Sequence, residues 1–273
     1  TDRGTWRDLH RGDDCPSDPN RKEIMKNRLK QIGISQHIRI EWVEMTANMI
    51  LAGNGKKETN DTLDEYFKNK LSVGGTAKGC SREKVINILM KIWVNVPGVM
   101  SDFRDRGLDL LKTLPGDIHI AVHWGMVMAA YPFWGTVAET TGRLLRLQDT
   151  VSASQVQRRI RELYGERETA FNAARRVLRT FVDWGVLEDT TEKGVYRQRS
   201  KKTLKDVKLI ARLIQSVLIS SGDNSASLSA ITNSPSLFPF NIILSTSRKL
   251  DECNRLDIFR NGPDAEMITL RKR

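Results

Sequence analysis

Across residues 152–199 the apolar positions of this 273-residue chain change their period once, and that change constrains the fold more than any other feature. Ser152 and Gln155 have the spacing of a capping box, in which side chain and backbone at a helix start satisfy each other. Val156, Ile160 and Leu163 then fall on one helical face. The turn YGERE at 164–168 contains Gly165, which is free to take the left-handed conformation of a tight interhelical turn. Helical spacing resumes over 169–183. Phe171, Ala174, Val177, Leu178, Phe181 and Val182 share one arc, Thr169, Asn172, Arg176 and Arg179 lie opposite, and Ala173 and Thr180 stand between. Beyond Gly185 the pattern becomes Val186-Leu187, the polar turn EDTTEKG, then Val195-Tyr196-Arg197, which predicts a two-stranded hairpin.

The rest of the chain reads as mostly helical. Residues 1–20 have no period and are expected to form a flexible or draped arm. A short basic helix is predicted at 21–31. Another is predicted at 38–51, with Trp42, Met45, Met49 and Ile50 near one face and GNGKK as its end. A third at 62–71 is closed by SVGGTAKG. Ser81 is placed to cap a helix carrying Val85, Ile88, Leu89, Ile92 and Trp93, with Pro97 and Gly98 as its stop. Helices follow at 101–114 and at 119–147, the second broken or kinked by Pro132. The expected domains are therefore the arm, a helical domain at 21–147, a module at 148–201 and a further module at 202–273.

Charge separates these parts. The net charge is +11, with 22 basic against 19 acidic residues in 1–150 and 22 against 14 in 151–273. Over 155–212 there are 15 basic and 8 acidic residues. Such a segment suits a surface that meets a polyanion, although a solvated face is the plain alternative. No stretch approaches the eighteen or so apolar residues of a membrane span, and the charged start of the chain is unlike a secretory signal. The cytosol is the expected compartment, with no membrane partner. Cys15, Cys80 and Cys253 are too few and too scattered for a disulfide framework or a cysteine-rich zinc site.

The order of helix, tight turn, Arg-rich helix, "WGVL", polar turn and "GVYR" resembles the winged helix-turn-helix superfamily over about fifty residues. The resemblance implies a mainly α fold with small β-hairpin wings. It also implies that 169–183 is a recognition helix entering the major groove of double-stranded DNA, with Lys193, Arg197 and Arg199 on or beside the wing reaching phosphates or a minor groove. Thr169, Asn172, Arg175, Arg176 and Arg179 are side chains able to read base edges or phosphates. Arg158, Arg161, Lys201 and Lys202 complete the expected DNA-binding set. Arg176 and Arg179 are expected to be the main contacts and to have no fold-supporting role, because burying either would require a paired carboxylate that the helix period does not supply.

A second copy is expected over 203–270. It would comprise a helix starting at Thr203 and Asp206, a short helix at SLSAIT, a third at NIILSTSRKLDEC exposing Asn241, Ser245, Arg248 and Lys249, and a hairpin from RLDIF to EMITL. A packing or dimerisation role for it is the alternative. In plan, a basic helical protein without catalytic motifs, the chain is also similar to the DNA-binding accessory subunits of bacterial phage-defence systems such as BREX.

No enzyme and no cofactor are expected. His119 and His123 stand four apart with Asp117 nearby, a spacing that suits a metal, yet the intervening Glu of the zinc-peptidase motif is missing. A structural role for both is the expectation. GGTAKGCS and GNGKK lack the spacing of a phosphate-binding loop, and HWGMVMAAYPFWG is expected to be the core seam that joins the helical domain to the following module. The partner expected is DNA, for transcription regulation or antiviral defence. An adaptor whose winged helices dock protein, or a homodimer, is the competing reading.

Overall fold

A computed structural model describes residues 31–71, 81–245, 250, 253, 255–260 and 266–271. The arm, nearly all of the helix expected at 21–31 and the segment SVGGTAKG lie outside them. The chain is mainly helical with small sheets. Helices α1 (Ile40–Leu51), α2 (Lys56–Phe67), α3 (Ser81–Trp93), α4 (Ser101–Thr113), α5 (His119–Ala130) and α6 (Pro132–Leu145) come first. Strand β1 (Thr150–Ser152), α7 (Ala153–Tyr164), α8 (Glu168–Asp183), β2 (Leu187–Asp189), β3 (Val195–Gln198) and β4 (Lys202–Leu204) follow. The last part holds α9 (Val207–Ser221), β5 (Ser225–Ser227), α10 (Leu228–Thr232), β6 (Phe240–Ile242), β7 (Leu256–Arg260) and β8 (Glu266–Leu270). Among the described residues no helix is long and apolar enough to cross a membrane.

The centre is α5, which is buried at every position from Ile120 to Ala130. A helix apolar on all sides has no stable place but a core. Trp124 is its hub. Phe181 stacks on Trp124 with ring centroids 5.0 Å apart, while Trp134, Trp184, Phe238 and Phe240 meet it edge-on at 5.4 to 6.1 Å. Its indole N–H donates to the Ser236 carbonyl at 3.1 Å. The aromatic run expected to be a seam is thus the point where the helical part, α8 and the C-terminal part meet. Pro132 opens α6 at a position whose N–H has no helical partner in any case.

Two sheets share one plan. In the first the strand order is β1-β3-β2, and in the second it is β5-β8-β7. In each a short strand that follows a helix is separated by further helical structure from a hairpin whose second strand pairs antiparallel with it. Neither short strand shows in the sequence pattern, since three residues are too few for an alternation to register.

Several expected boundaries are corrected. α2 begins at Lys56, not at residue 62, and ends at Phe67; its buried face is Thr59, Leu63 and Phe67, so a threonine carries the first step of the period. GNGKK therefore ends α1 and also supplies the first turn of α2. The buried face of α1 is Trp42, Val43, Thr46 and Ala47, with Met45 and Met49 half-buried. Leu163, expected inward, is 65% exposed. The third helix expected in the C-terminal part is displaced: Asn241 lies in β6, which pairs in parallel with β4, and Ser245 is not helical. That pairing joins segments almost forty residues apart, which local periodicity cannot report. Arg248 and Lys249 lie outside the described residues.

Small residues let the C-terminal part approach the core. A Cβ on Gly142 would collide with the Pro235 carbonyl, and one on Gly107 with the Arg212 guanidinium. Arg212 itself is 3% exposed. Its guanidinium carbon lies 3.9 Å from the Phe103 ring centroid and 6.0 Å from that of Trp93, and its N–H groups reach the Phe103 carbonyl and, at 3.2 Å, Met126 Sδ. Burial, helped by the charge of Arg106, pulls its pKa down to about 9. The cation is held by aromatic faces and a carbonyl, with no carboxylate bonded to it among the described residues.

These contacts set a prediction. Gly142→Ala should destabilise the fold by about 1–3 kcal/mol, since the added methyl meets backbone that cannot yield. Gly125→Ala should be close to neutral, because its methyl would meet Leu213 and Ser216 at 3.4 to 3.6 Å, ordinary contact distances. Equal urea midpoints for the two variants would contradict this account.

Candidate nucleic-acid interface

The capping box forms as expected: Ser152 Oγ accepts the Gln155 N–H at 3.1 Å and Gln155 Oε1 accepts the Ser152 N–H at 2.8 Å. Gly165 ends α7 with φ +75, so the chain reverses into α8 where a side chain would be strained. Both helices pack on α6. Phe133 meets Tyr164 at 5.1 Å, Trp134 meets Phe181 at 4.8 Å, and Thr136 Oγ1 shares a 3.3 Å hydrogen bond with the Tyr164 hydroxyl. β1 completes the hairpin sheet, with Val151 opposite Tyr196 and Thr150 opposite Arg197.

α8 buries a wider arc than its apolar residues predict. Ala170, Ala173, Ala174, Val177, Leu178, Thr180 and Phe181 are all buried. The extra width comes from the extended segment before α1, which lies along one edge of α8. There the Ile38 N–H donates to Thr180 Oγ1 at 3.2 Å and the Trp184 indole donates to the Ile38 carbonyl at 2.9 Å. Arg176 donates to the Ser35 carbonyl on the same edge. His37 Nε2 stands 3.7 Å from Asp183, and burial lowers the pKa of its ring below the ordinary 6.5. The open face is consequently turned toward Arg175, Arg179 and Asn172, with Thr169 exposed at its rim.

The expected site residues divide by what holds them. Arg179 gives both hydrogen bonds of one Nη to Asp189, at 2.7 and 2.8 Å, tying α8 to the hairpin. That bond raises its pKa. Both stay exposed as expected, but the expectation that Arg176 and Arg179 have no fold-supporting role is corrected. Arg179 takes its carboxylate from β2, and Arg176 takes a carbonyl from the segment before α1, neither of which the helix period can show. Arg199 Nε reaches Glu188 at 3.3 Å, and Arg161 stands 3.7 Å from Glu166 and over the Phe171 ring at 4.6 Å. The Asn172 amide reaches Glu168 only at 3.5 Å. Thr169, Arg158, Arg175, Lys193, Arg197, Lys201 and Lys202 are exposed and make no side-chain hydrogen bond or ion pair among the described residues. Asp189 and Thr190 support the hairpin, and sequence reasoning missed both. Thr190 Oγ1 bonds within the hairpin turn to the Val195 carbonyl at 3.0 Å and accepts the Glu192 N–H at 3.2 Å.

His119 and His123 meet a carboxylate that is distant in sequence. Glu44 of α1 reaches His119 Nδ1 at 2.9 Å and His123 Nε2 at 2.5 Å, while Asp117 stays exposed. His119 Nε2 also donates to the Leu114 carbonyl at 2.9 Å. Among the described residues no group of three or more His, Cys, Asp or Glu is arranged to hold a metal ion. The His123 hydrogen bond, with smaller help from His119, holds the Glu44 pKa down at about 2. Desolvation lowers the pKa of the fully buried His123, so its ring is neutral and donates from Nε2.

Both shifts act in one direction. A neutral buried His123 stabilises the fold above 6.5 and that contribution fades as pH falls below it. Glu44 adds stability above its ordinary 4.5 that is lost between 4.5 and about 2. The parent should therefore lose stability on acidification. Glu44→Gln should be less stable by about 1–3 kcal/mol at neutral pH and show a shallower decline below 4.5. Parallel stability curves for parent and variant would remove Glu44 from the account.

Comparison with family models, with curated proteins and with solved structures finds no match for this chain.

Proposed function

We propose that the chain is a non-enzymatic double-stranded DNA-binding protein that meets the duplex through a winged helix-turn-helix made of α6, β1, α7, α8 and the β2–β3 hairpin. Such a module serves a transcription regulator or a DNA-binding subunit of a larger defence assembly. One observation carries the reading: α8 is buried on one side by α6 and α7, and its open face holds Thr169, Asn172 and an Arg175 with no ion pair among the described residues, beside a hairpin bearing exposed Lys193 and Arg197. The order of elements and the β1-β3-β2 sheet agree with that module, and they add α6 and β1 to what the sequence pattern displays. Arg175 and Asn172 are of the types that read guanine and adenine edges in a major groove. Lys193, Arg197 and Arg158 are suited to phosphate. Arg179 and Arg176, with one edge of each guanidinium engaged, set the posture of the helix against the hairpin and the segment before α1.

The test is binding to duplex DNA by anisotropy with folding followed in parallel. Arg175→Ala should leave the melting midpoint nearly unchanged and weaken specific binding by roughly 1–3 kcal/mol. Lys193→Ala with Arg197→Ala should weaken binding to all duplexes by a similar factor and reduce its salt dependence. Arg179→Ala should lower affinity together with a small loss of stability, since a half-exposed ion pair contributes about 1 kcal/mol or less. A parent protein that ignores duplex DNA at low salt, or an Arg175→Ala/Lys193→Ala/Arg197→Ala variant that binds as tightly as the parent, would sink the reading. Retention of a protein partner by that triple variant would then favour the docking alternative.

A further inference from the structure

We infer that the DNA surface continues past the hairpin over the joint between the two repeated units, where Lys201, Lys202, Lys205 and Lys208 form a second run of phosphate contacts. This rests on the DNA-binding reading above and extends it to the length of duplex engaged. Residues 197–208, RQRSKKTLKDVK, contain six basic residues and one acid. All six basic side chains are exposed. The single acid is already used: Asp206 Oδ1 accepts the Leu209 N–H at 2.8 Å and caps α9. Arg199 is held by Glu188. The four lysines make no ion pair among the described residues.

The backbone that carries them is fixed on its inner side. Gln198 donates to the Phe238 carbonyl at 2.6 Å, the Lys202 N–H donates to the Pro239 carbonyl at 2.9 Å, β4 pairs with β6, and Leu204 is buried. The lysines are thus displayed from an ordered ridge between the last strand of one unit and the first helix of the next. Within the fold this ridge costs stability. Like charges repel, and Lys208 sits in the first turn of α9, where the helix dipole disfavours a cation. Within this segment only the Asp206 carboxylate offsets part of that cost. A phosphate backbone offsets it through Coulomb attraction and counterion release. Along the chain this segment joins the first unit to a second with the same strand order.

The experiment measures binding of the full chain to duplexes of about one and about two helical turns over a range of salt. Variants carry Gln at Lys201 and Lys202, at Lys205 and Lys208, or at all four. On the longer duplex the slope of log affinity against log salt should fall by roughly 0.9 per lost contact, so by roughly 3 to 4 for the fourfold variant and about half that for each pair. On the shorter duplex the slopes of parent and variants should agree, and Arg at all four positions should keep the parent slope on both. Melting midpoints should hold in the Arg variant and hold or rise slightly in the Gln variants, which relieve the repulsion along the ridge. A parent that binds DNA with the same slope as the fourfold Gln variant on the longer duplex overturns the ridge and leaves the first unit's role standing. An equal fall on both duplexes overturns the extension along the joint. A parent that binds neither duplex removes the DNA reading, and this inference with it.

Discussion

The packing around Trp124 is the condition on which the rest of the structure depends. Its ring touches aromatic side chains from α6, from α8 and the turn after it, and from the segment that leads into β6. Each such pair contributes about 0.5–1.5 kcal/mol beyond its buried area. More important is where the partners come from. Because Phe181 and Trp184 are anchored to the same ring as Phe238 and Phe240, the pitch of α8 and the position of the C-terminal unit are set together. A single apolar core runs from Ile34 to Ile268. The parts distinguished by charge and period are bodies packed on one helix rather than beads on a string.

The segment before α1 shows how tertiary contacts alter the meaning of a helical wheel. By its own residues α8 offers Arg176 and Arg179 as its outer pole. Once residues 35–38 lie against Thr180 and Arg176, the open face centres on Arg175, Arg179 and Asn172. The change follows from hydrogen bonding. The Ile38 N–H and carbonyl are buried and require partners, and Thr180 Oγ1 and the Trp184 indole supply them. A threonine already bonded to the Arg176 carbonyl thereby becomes a core residue.

What was legible in the sequence was whatever local spacing encodes. The capping box at Ser152, the reversal at Gly165, the division at Pro132, the hairpin from Leu187 to Gln198 and the burial of α5 could be read from residues one to four apart. Hidden were the features made by distant partners: β1 against β3, β4 against β6, Glu44 between two histidines, and Asp189 on Arg179. The separation is physical. A helical period reports which face seeks burial, whereas a carboxylate in a neighbouring strand leaves no trace in the helix that receives it. The candidate interface was thus visible as a list of basic residues and invisible as an arrangement, because exposure and pairing are properties of the fold.

The hydrogen bond from Trp124 to Ser236 spans 112 residues. Synthesis proceeds from the N-terminus, so the tryptophan-rich face of α5 is translated long before Phe238 and Phe240 emerge to cover it, and Arg212 must reach Phe103 across a comparable distance. Until then the nascent chain displays its most apolar helix without its last wall. That interval is when a holding chaperone has most to do. A stop codon after the hairpin would accordingly leave an open core rather than a shorter version of the same protein.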